Sequence, residues 1–95
     1  MFIVIVSYSK SPEMVKPYFK EHCEWLHKHI KLGNFVASGP KKNNLGGAFL
    51  ARSMEKKDLQ KIIEEDSYFT ADVADYLIVD MDFKLAAQGF EKLIS

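Results

Sequence analysis

The sequence contains little cysteine, no long apolar run and no excess of either charge. Its single cysteine, Cys23, excludes a disulfide within the chain and is typical of a reducing compartment. The apolar run Phe2–Val6 is too short to span a bilayer, and no basic leader or cleavage signal accompanies it. Thirteen basic and thirteen acidic residues cancel, so no net field attracts nucleic acid or membranes. These absences predict a soluble, cytoplasmic protein that binds neither.

The sequence also lacks the short motifs that hold metals, nucleotides and RNA. It contains no His-x-x-x-His or Cys-x-x-Cys pattern, which argues against a zinc site. It contains no Gly-x-Gly-x-x-Gly or Walker A pattern, so nucleotide binding has no support. The segment Gly47–Arg52 does not match the aromatic and basic signature of a common RNA-binding module. We therefore predict no metal and no organic cofactor.

Enough apolar material is present to build one small core. The chain has 95 residues, 47% of them hydrophobic, which is typical of a single domain over residues 1–95. A lone domain of this size buries a limited share of its surface. Association into a homodimer would bury more, so we expect a dimer.

Hydrophobic patterning and capping residues predict alternating strands and helices. Ser11 and Pro12 are typical of a helix start, and Pro17 suggests a short entry turn before the main helix. Ser53 is the expected cap of the second helix. The predicted order is strand Phe2–Tyr8, helix Pro12 to about Leu32, strand Phe35–Ser38, loop Lys41–Gly47, strand Ala48–Arg52, a helix carrying Leu59, Ile62 and Ile63, an irregular or one-turn segment Ser67–Asp72, strand Tyr76–Phe83, and a tail 84–95 as a short amphipathic helix.

This order, β-α-β-β-α-β, predicts an α+β, ferredoxin-like fold. Four antiparallel strands would form one sheet, with two helices on one face. On the last strand, alternation separates two sets of side chains. We expect Leu77, Val79, Met81 and Phe83 on one face, and Tyr76, Ile78, Asp80 and Asp82 on the face without helices. Two such sheets packed face to face would form a dimer.

One histidine interrupts the apolar stripe of the first helix. At about 100° per residue, His22 falls in the middle of that stripe. The stripe consists of Val15, Tyr18, Phe19, Leu26 and Ile30. In the second helix, Asp66 extends the inward stripe. Because both helices lie on one sheet face, His22 and Asp66 are expected to approach each other.

A histidine paired with a carboxylate supports two interpretations. The carboxylate fixes the tautomer and raises the basicity of the other ring nitrogen, which a general base requires. A buried His22–Asp66 pair could equally hold the two helices together without any chemistry. The spacing of the residues leaves both interpretations open.

Other candidate residues carry weaker signals. His29 lies about 10 Å along the helix from His22, too far to share one metal ion. His27 is expected in solvent, Trp25 in packing, and Cys23 as an inert, buried thiol.

Paired small residues bracket the loop before the third strand. The pairs Gly39-Pro40 and Gly46-Gly47 could let a ligand approach the backbone closely. Lys41 and Lys42 within the loop are interpreted as a solvated turn.

Several of these residues stand at a characteristic spacing from one another. Gly33 follows His22 by eleven residues, and Gly39-Pro40 begins seventeen residues after it. The third strand ends in Arg52-Ser53, and Asp66-Ser67-Tyr68 stands at the end of the second predicted helix. In this combination, over roughly Met1 to Phe83, the chain resembles the YCII (YciI-like) family of small dimeric α/β-barrel proteins, whose Asp-Pro-Phe/Tyr motif appears here as Asp66-Ser67-Tyr68.

The resemblance implies a ferredoxin-like protomer, a face-to-face homodimer and an active site containing His22 and Asp66. We place the substrate-binding residues at the motif positions Gly39, Pro40, Ser53 and Tyr68. Members are similar in fold to muconolactone isomerase and to a dehydrochlorinase of chlorinated aromatic breakdown. This chain departs from the pattern at two positions, because Ser67 replaces the motif proline and Asp72 stands where glycine is common.

The resemblance favours an enzyme for a small cyclic or aromatic ligand. His22 would transfer a proton and Asp66 would orient it, as in isomerase, lyase or dehydrohalogenase chemistry that requires no cofactor. The alternative is a dimeric ligand-binding or accessory protein with a structural His–Asp pair. A bare oligomerisation module is a third hypothesis.

Overall fold

A computed structural model describes residues 1–94 of the chain. The elements are β1 (Phe2–Tyr8), α1 (Pro12–Val15), a 3₁₀ turn (Lys16–Tyr18), α2 (Phe19–Lys31), β2 (Phe35–Pro40), β3 (Gly46–Ala51), α3 (Lys56–Ile63), α4 (Ser67–Thr70), β4 (Ala74–Asp80) and a second 3₁₀ turn (Glu91–Leu93). The Ser11 side chain caps α1 by accepting from Met14 N–H. The entry turn predicted before the main helix is present, because Pro17 offers no amide hydrogen to continue α1.

The four strands form one antiparallel sheet in the order β2-β3-β1-β4. Val4 in central β1 lies opposite Phe49 in β3 and Ile78 in β4, and all three side chains contribute to the core under the helices. The ferredoxin-like α+β fold predicted from the sequence is confirmed. It places the inner faces of α2, α3 and α4 over the same side of the sheet.

The predicted inward stripe of the first helix is rotated in the structure. Trp25 and His29 are the buried residues of α2, whereas Phe19 is 55% exposed and Ile30 is 42% exposed. The 3₁₀ turn explains the difference, because three residues per turn rather than 3.6 shift the phase of α2 relative to α1. His22 therefore lies at the margin of the buried face, between the core and the surface.

The predicted faces of the last strand are exchanged. Tyr76 and Ile78 pack against the core, whereas Leu77 is 59% exposed. Alternation along a strand separates the two faces but does not tell which one is buried. Here the buried face is fixed by Ala74, which is buried, and by the Tyr76 hydroxyl, which donates to Asp66. The face without helices consequently carries apolar rows across β1, β3 and β4, with Ile3 opposite Leu50 and Val79, and Ile5 opposite Ala48 and Leu77.

Two terminal boundaries also differ from expectation. Helix α3 begins at Lys56 with Glu55 at its N-cap, so Ser53 does not cap it. The Ser53 hydroxyl instead accepts a hydrogen bond of 3.0 Å from the Met1 ammonium group. Strand β4 ends at Asp80, before the predicted Phe83.

Over residues 84–94, helical structure in the tail is limited to the 3₁₀ turn Glu91–Leu93. Leu85 is 92% exposed, and Gly89 has a φ of +92° that interrupts helical geometry. Ser95, the last residue of the predicted tail, lies outside the described residues. In the described part of the chain, no helix is long and apolar enough to cross a membrane.

The left-handed backbone at Asp72 yields the first testable prediction. Asp72 has a φ of +55° and an exposed side chain, in the turn between α4 and β4. Glycine adopts this conformation without strain, so Asp72→Gly should raise the free energy of unfolding by about 0.5–1 kcal/mol. Urea denaturation measures the change.

The neighbouring residue provides the control. Ala71 has a right-handed φ of −87°, so Ala71→Gly should lower stability. A lower stability for Asp72→Gly as well would contradict the strain assigned to Asp72.

Candidate active site

The structure brings His22 and Asp66 into direct contact. His22 Nδ1 lies 2.8 Å from Asp66 Oδ1. His22 comes from the second turn of α2, and Asp66 is the N-cap residue of α4. The Asp66 side chain is fully buried, while 12% of the His22 side chain stays accessible. The pair therefore connects the helix layer to a point that ligands can reach.

Asp66 holds three donors at once. Besides His22, its Oδ2 accepts from the Tyr76 hydroxyl at 2.6 Å, and its Oδ1 accepts from Tyr68 N–H at 3.2 Å. A carboxylate accepts hydrogen bonds, so the contact assigns the Nδ1–H of His22 as the donor. In that neutral tautomer the lone pair of the ring is on Nε2, which bonds to no side chain or backbone group within residues 1–94.

Tyr68 stacks on the imidazole of His22. The two rings are nearly parallel, with an angle of 3° and a centroid distance of 3.9 Å. Burial raises the pKa of the Tyr68 hydroxyl far above its ordinary value of 10.0, and the neighbouring Tyr8 side chain adds to the increase. Burial likewise raises the pKa of Tyr76, with a further contribution from its bond to Asp66. Both phenols therefore stay protonated at neutral pH.

A cavity of about 270 Å³ opens beside the pair, between the helices and the sheet. His22 and Tyr68 form part of its wall, and the predicted binding residues Gly39 and Pro40 form another part. Ser53, the fourth predicted binding residue, does not line it, because Ser53 is held beside Met1. The described lining residues are Val6, Tyr8, Phe19, His22, Cys23, Leu26, Ser38, Gly39, Pro40, Gly46, Gly47, Ala48, Phe49 and Tyr68.

Two glycines allow the strands along the cavity to approach each other. Gly46 has a φ of +138°, and a Cβ there would collide with the carbonyl oxygen of Val6. A Cβ on Gly47 would lie 2.6 Å from the carbonyl oxygen of Gly39. Glycine is therefore required at both positions by backbone packing.

Cys23 lies in the cavity wall as a protonated thiol. Burial raises its pKa above 9.0, and the negative charge of Asp66 adds to the increase. A thiolate is the reactive form, so this environment disfavours a nucleophilic cysteine. The finding agrees with the inert thiol expected from the sequence.

Sequence reasoning missed a second histidine–carboxylate pair. His29 Nε2 lies 2.9 Å from Glu65 Oε1, and Lys28 Nζ lies 3.0 Å from the same oxygen. Between the two pairs, Trp25 Nε1 donates to the carbonyl oxygen of Ile62 at 2.9 Å. The available signal was that His22 and His29 lie seven residues apart, on about the same side of the helix, while Glu65 and Asp66 stand next to each other just after α3.

The two pairs differ in what the second ring nitrogen does. His29 is buried, and its Nδ1 accepts from the Asn34 amide at 3.1 Å, so both of its nitrogens are occupied. His22 has one occupied nitrogen and faces the cavity. Only the His22 pair has the open position that proton transfer to a ligand requires.

No cluster of three potential metal ligands occurs within residues 1–94. A wider depression on the outer surface of α2 is lined by charged residues such as Lys20, Glu24 and Glu65, and neither His22 nor Tyr68 lines it. The cavity beside His22 is therefore the candidate site.

Comparisons with known proteins agree with the fold and with the family resemblance. The model of the YCII-related domain family matches residues 1–82. The structure is similar to 5-chloro-2-hydroxyhydroquinone dehydrochlorinase (TftG) from Burkholderia phenoliruptrix AC1100, solved in complex with 2,5-dihydroxybenzoquinone, at 13% sequence identity and a TM-score of 0.65. The match covers 85% of this chain and 93% of that chain. A comparison with curated protein sequences found no match.

The His29–Glu65 pair predicts a pH dependence of stability. Its hydrogen bond with His29 lowers the pKa of Glu65 below the ordinary value of 4.5. The stabilisation is complete above pH 4.5 and is lost as the pH falls through the lower, folded-state value. Glu65→Gln should cost about 0.5–1 kcal/mol at pH 7, a modest figure because Glu65 is partly exposed. Between pH 5 and pH 3, the variant should lose less stability than the wild type.

Urea denaturation across that pH range measures the difference. Glu64→Gln is the matched control, because Glu64 bonds to Gln60 rather than to His29. Identical pH slopes for Glu65→Gln and the wild type would rule out the assigned role of the pair.

Proposed function

The chain belongs to the YCII-related domain family, and from that premise we propose that it is an enzyme for a small cyclic or aromatic molecule. His22 is the residue that moves a proton, and Asp66 is the residue that orients it. The reaction is of the isomerase, lyase or dehydrohalogenase type, and the proposed chemistry requires neither a metal nor an organic cofactor.

One observation carries the proposal: His22 bonds to Asp66 through Nδ1 and borders the cavity with Nε2 unpaired. A base must have its lone pair within reach of the proton that it removes. Asp66 stabilises the imidazolium that forms after proton uptake, because its carboxylate is anchored by Tyr76 and Tyr68. The same His22 can return the proton at another atom of the ligand, or the ligand can expel a leaving group instead.

The size of the cavity supports a single-ring ligand. A cavity of about 150 Å³ accommodates benzene, and pockets for drug-sized ligands begin at about 300 Å³. A volume of about 270 Å³ lies between these values and suits one substituted ring. Gly39, Pro40 and Tyr68 are the proposed binding residues, and Ser53 is left out because it lies beside Met1.

The dehydrochlorinase of similar fold supports the proposal of a single-ring ligand. It was solved with 2,5-dihydroxybenzoquinone, a ring of the size that the cavity suits. At 13% identity the likeness concerns the fold, so the reaction and substrate of this chain rest on the proposal.

A second candidate function is ligand binding without catalysis. His29 and Glu65 form a similar pair nearby, and both ring nitrogens of His29 are occupied by hydrogen bonds. The His22 pair could likewise serve stability, with the cavity holding a ligand that is not converted. The two functions differ in whether removal of His22 abolishes turnover or only weakens binding.

We further propose that two copies associate through the sheet face without helices. Ile3, Ile5, Leu50, Leu77 and Val79 share this face, by their register and alternation. Burying such apolar rows contributes about 25 cal/mol per Å² of surface removed from water. A second sheet of the same kind is the complementary partner, as the family resemblance also implies.

Substitution at His22 tests the catalytic proposal. Chloride release from 5-chloro-2-hydroxyhydroquinone is the first activity to measure, together with a panel of small lactones and phenols. His22→Gln should lower kcat about 100- to 10,000-fold, the usual contribution of a general acid or base. Asp66→Asn should lower kcat as well, and it should destabilise the fold by about 2 kcal/mol or more because buried donors lose their acceptor.

Two other histidines serve as controls. His27→Gln changes an exposed residue and should retain activity, whereas His29→Gln should lower stability with a smaller effect on kcat. Full activity of His22→Gln would refute the catalytic role. Saturable ligand binding by the wild type, with no turnover across the panel, would favour the binding function.

The proposed interface predicts a change in mass. Leu77→Asp places a charge in the middle of the apolar face and should convert a dimer of about 22 kDa, twice the 10.9 kDa of one chain, into a monomer. Leu85→Asp in the exposed tail should remain dimeric. Size-exclusion chromatography with light scattering gives the mass directly, and a monomeric wild type at about 100 μM would exclude the interface.

A further inference from the structure

One residue of the cavity wall carries a buried polar atom without a partner. The Tyr68 residue is 2% exposed, and its hydroxyl forms no hydrogen bond with any group of residues 1–94. Tyr8 is near enough to add to the rise that burial causes in the pKa of Tyr68, but the two hydroxyls do not meet the distance and angle requirements of a hydrogen bond. A buried hydroxyl without a partner destabilises the folded state, because it has lost its water. A ligand atom that accepted a hydrogen bond from this hydroxyl would remove that cost.

Tyr68 cannot turn away to find a partner elsewhere. Its ring is stacked on His22 and meets the ring of Tyr8 edge-on at 5.8 Å. Its N–H donates to Asp66, and its carbonyl accepts from Val73 N–H at 3.1 Å. The hydroxyl is therefore held in one position, and the cavity that Tyr68 lines is the route by which a ligand atom would reach it.

The cavity also restricts the charge of its ligand. No lysine, arginine, aspartate or glutamate is among the described residues that line it. Lys41, which follows the lining residue Pro40 in the chain, donates from its ammonium group to the Ser7 hydroxyl at 2.6 Å. A carboxylate or phosphate entering the cavity would lose hydration without gaining a cation, unless His22 first took up a proton.

We propose that the Tyr68 hydroxyl is the specificity-determining donor of this site, selecting an uncharged ring that carries a hydroxyl or carbonyl oxygen. This inference rests on the proposed function for its biological meaning, but it concerns binding rather than proton transfer. The ring lies in the apolar part of the cavity near Val6 and Phe49, and its oxygen accepts from Tyr68. The Tyr68 hydroxyl thus acts on the ligand beside His22 and forms no hydrogen bond with the His22–Asp66 pair.

Tyr68→Phe removes only the hydroxyl and keeps the aromatic ring. Because the lost group is unpaired in the free protein, the variant should be as stable as the wild type or more stable. A structural hydroxyl would have the opposite effect on stability. The melting temperatures of the two proteins, without ligand, separate these cases.

Phenol and toluene are the probes of ligand choice, since they differ by one hydroxyl in place of a methyl group. Dissociation constants come from NMR titration of the backbone amides around the cavity. The wild type should prefer phenol over toluene, and Tyr68→Phe should reduce this preference about 10-fold, the usual effect of one neutral hydrogen bond. 4-Hydroxybenzoate should bind the wild type at least about 10-fold more weakly than phenol.

Tyr18→Phe is the matched control, because the Tyr18 side chain is partly exposed and does not line the cavity. It should keep the wild-type preference for phenol. The proposal is overturned by an unchanged preference in Tyr68→Phe, by a marked loss of its stability, by equal affinity for 4-hydroxybenzoate, or by the absence of saturable phenol binding to the wild type.

Titration of His22→Gln separates this inference from the proposed catalysis. If His22→Gln keeps most of the phenol preference while Tyr68→Phe loses it, Tyr68 determines binding whether or not the protein is an enzyme. If Tyr68→Phe keeps the preference while His22→Gln abolishes turnover, the catalytic proposal stands and the Tyr68 proposal fails.

Discussion

The buried carboxylate of Asp66 is the interaction on which the helix layer and the cavity depend. It accepts hydrogen bonds from His22 in α2, Tyr68 in α4 and Tyr76 in β4, and so connects three elements at one point. A charge out of contact with water is tolerated only when its lone pairs are satisfied. The three donors therefore orient one another through Asp66. The orientation of His22, the stack of Tyr68 and the position of the cavity all follow from that constraint.

The second histidine–carboxylate pair shows that chemistry depends on position rather than on residue type. His29 and Glu65 repeat the contact made by His22 and Asp66, about two helical turns further along α2. At His29 both ring nitrogens are bonded and the core surrounds the ring, so the pair stabilises packing. At His22 the end of α2 reaches the cavity and one nitrogen stays unpaired. The same local pattern thus yields a structural pair and a candidate catalytic pair.

Prediction from the sequence succeeded where the pattern was local and failed where it depended on phase. The strand Phe2–Tyr8 and the break near Pro17 were predicted, because apolar runs and prolines act on their own neighbourhood. The inward face of α2 was predicted wrongly, because a 3₁₀ turn changes the phase of the helix. The faces of β4 were exchanged, because a period of two cannot tell inside from outside.

The sequence by itself determined the order of the elements, the sheet that follows from that order, and the approach of His22 to Asp66. Helix and strand periods are local properties, and the βαββαβ order places both helices on one sheet face. Only the tertiary structure decided which nitrogen of His22 is occupied, that Tyr76 anchors Asp66, and that the Tyr68 hydroxyl is buried without a partner. These features depend on helix rotation and strand register to within about one ångström, the precision that hydrogen-bond geometry demands.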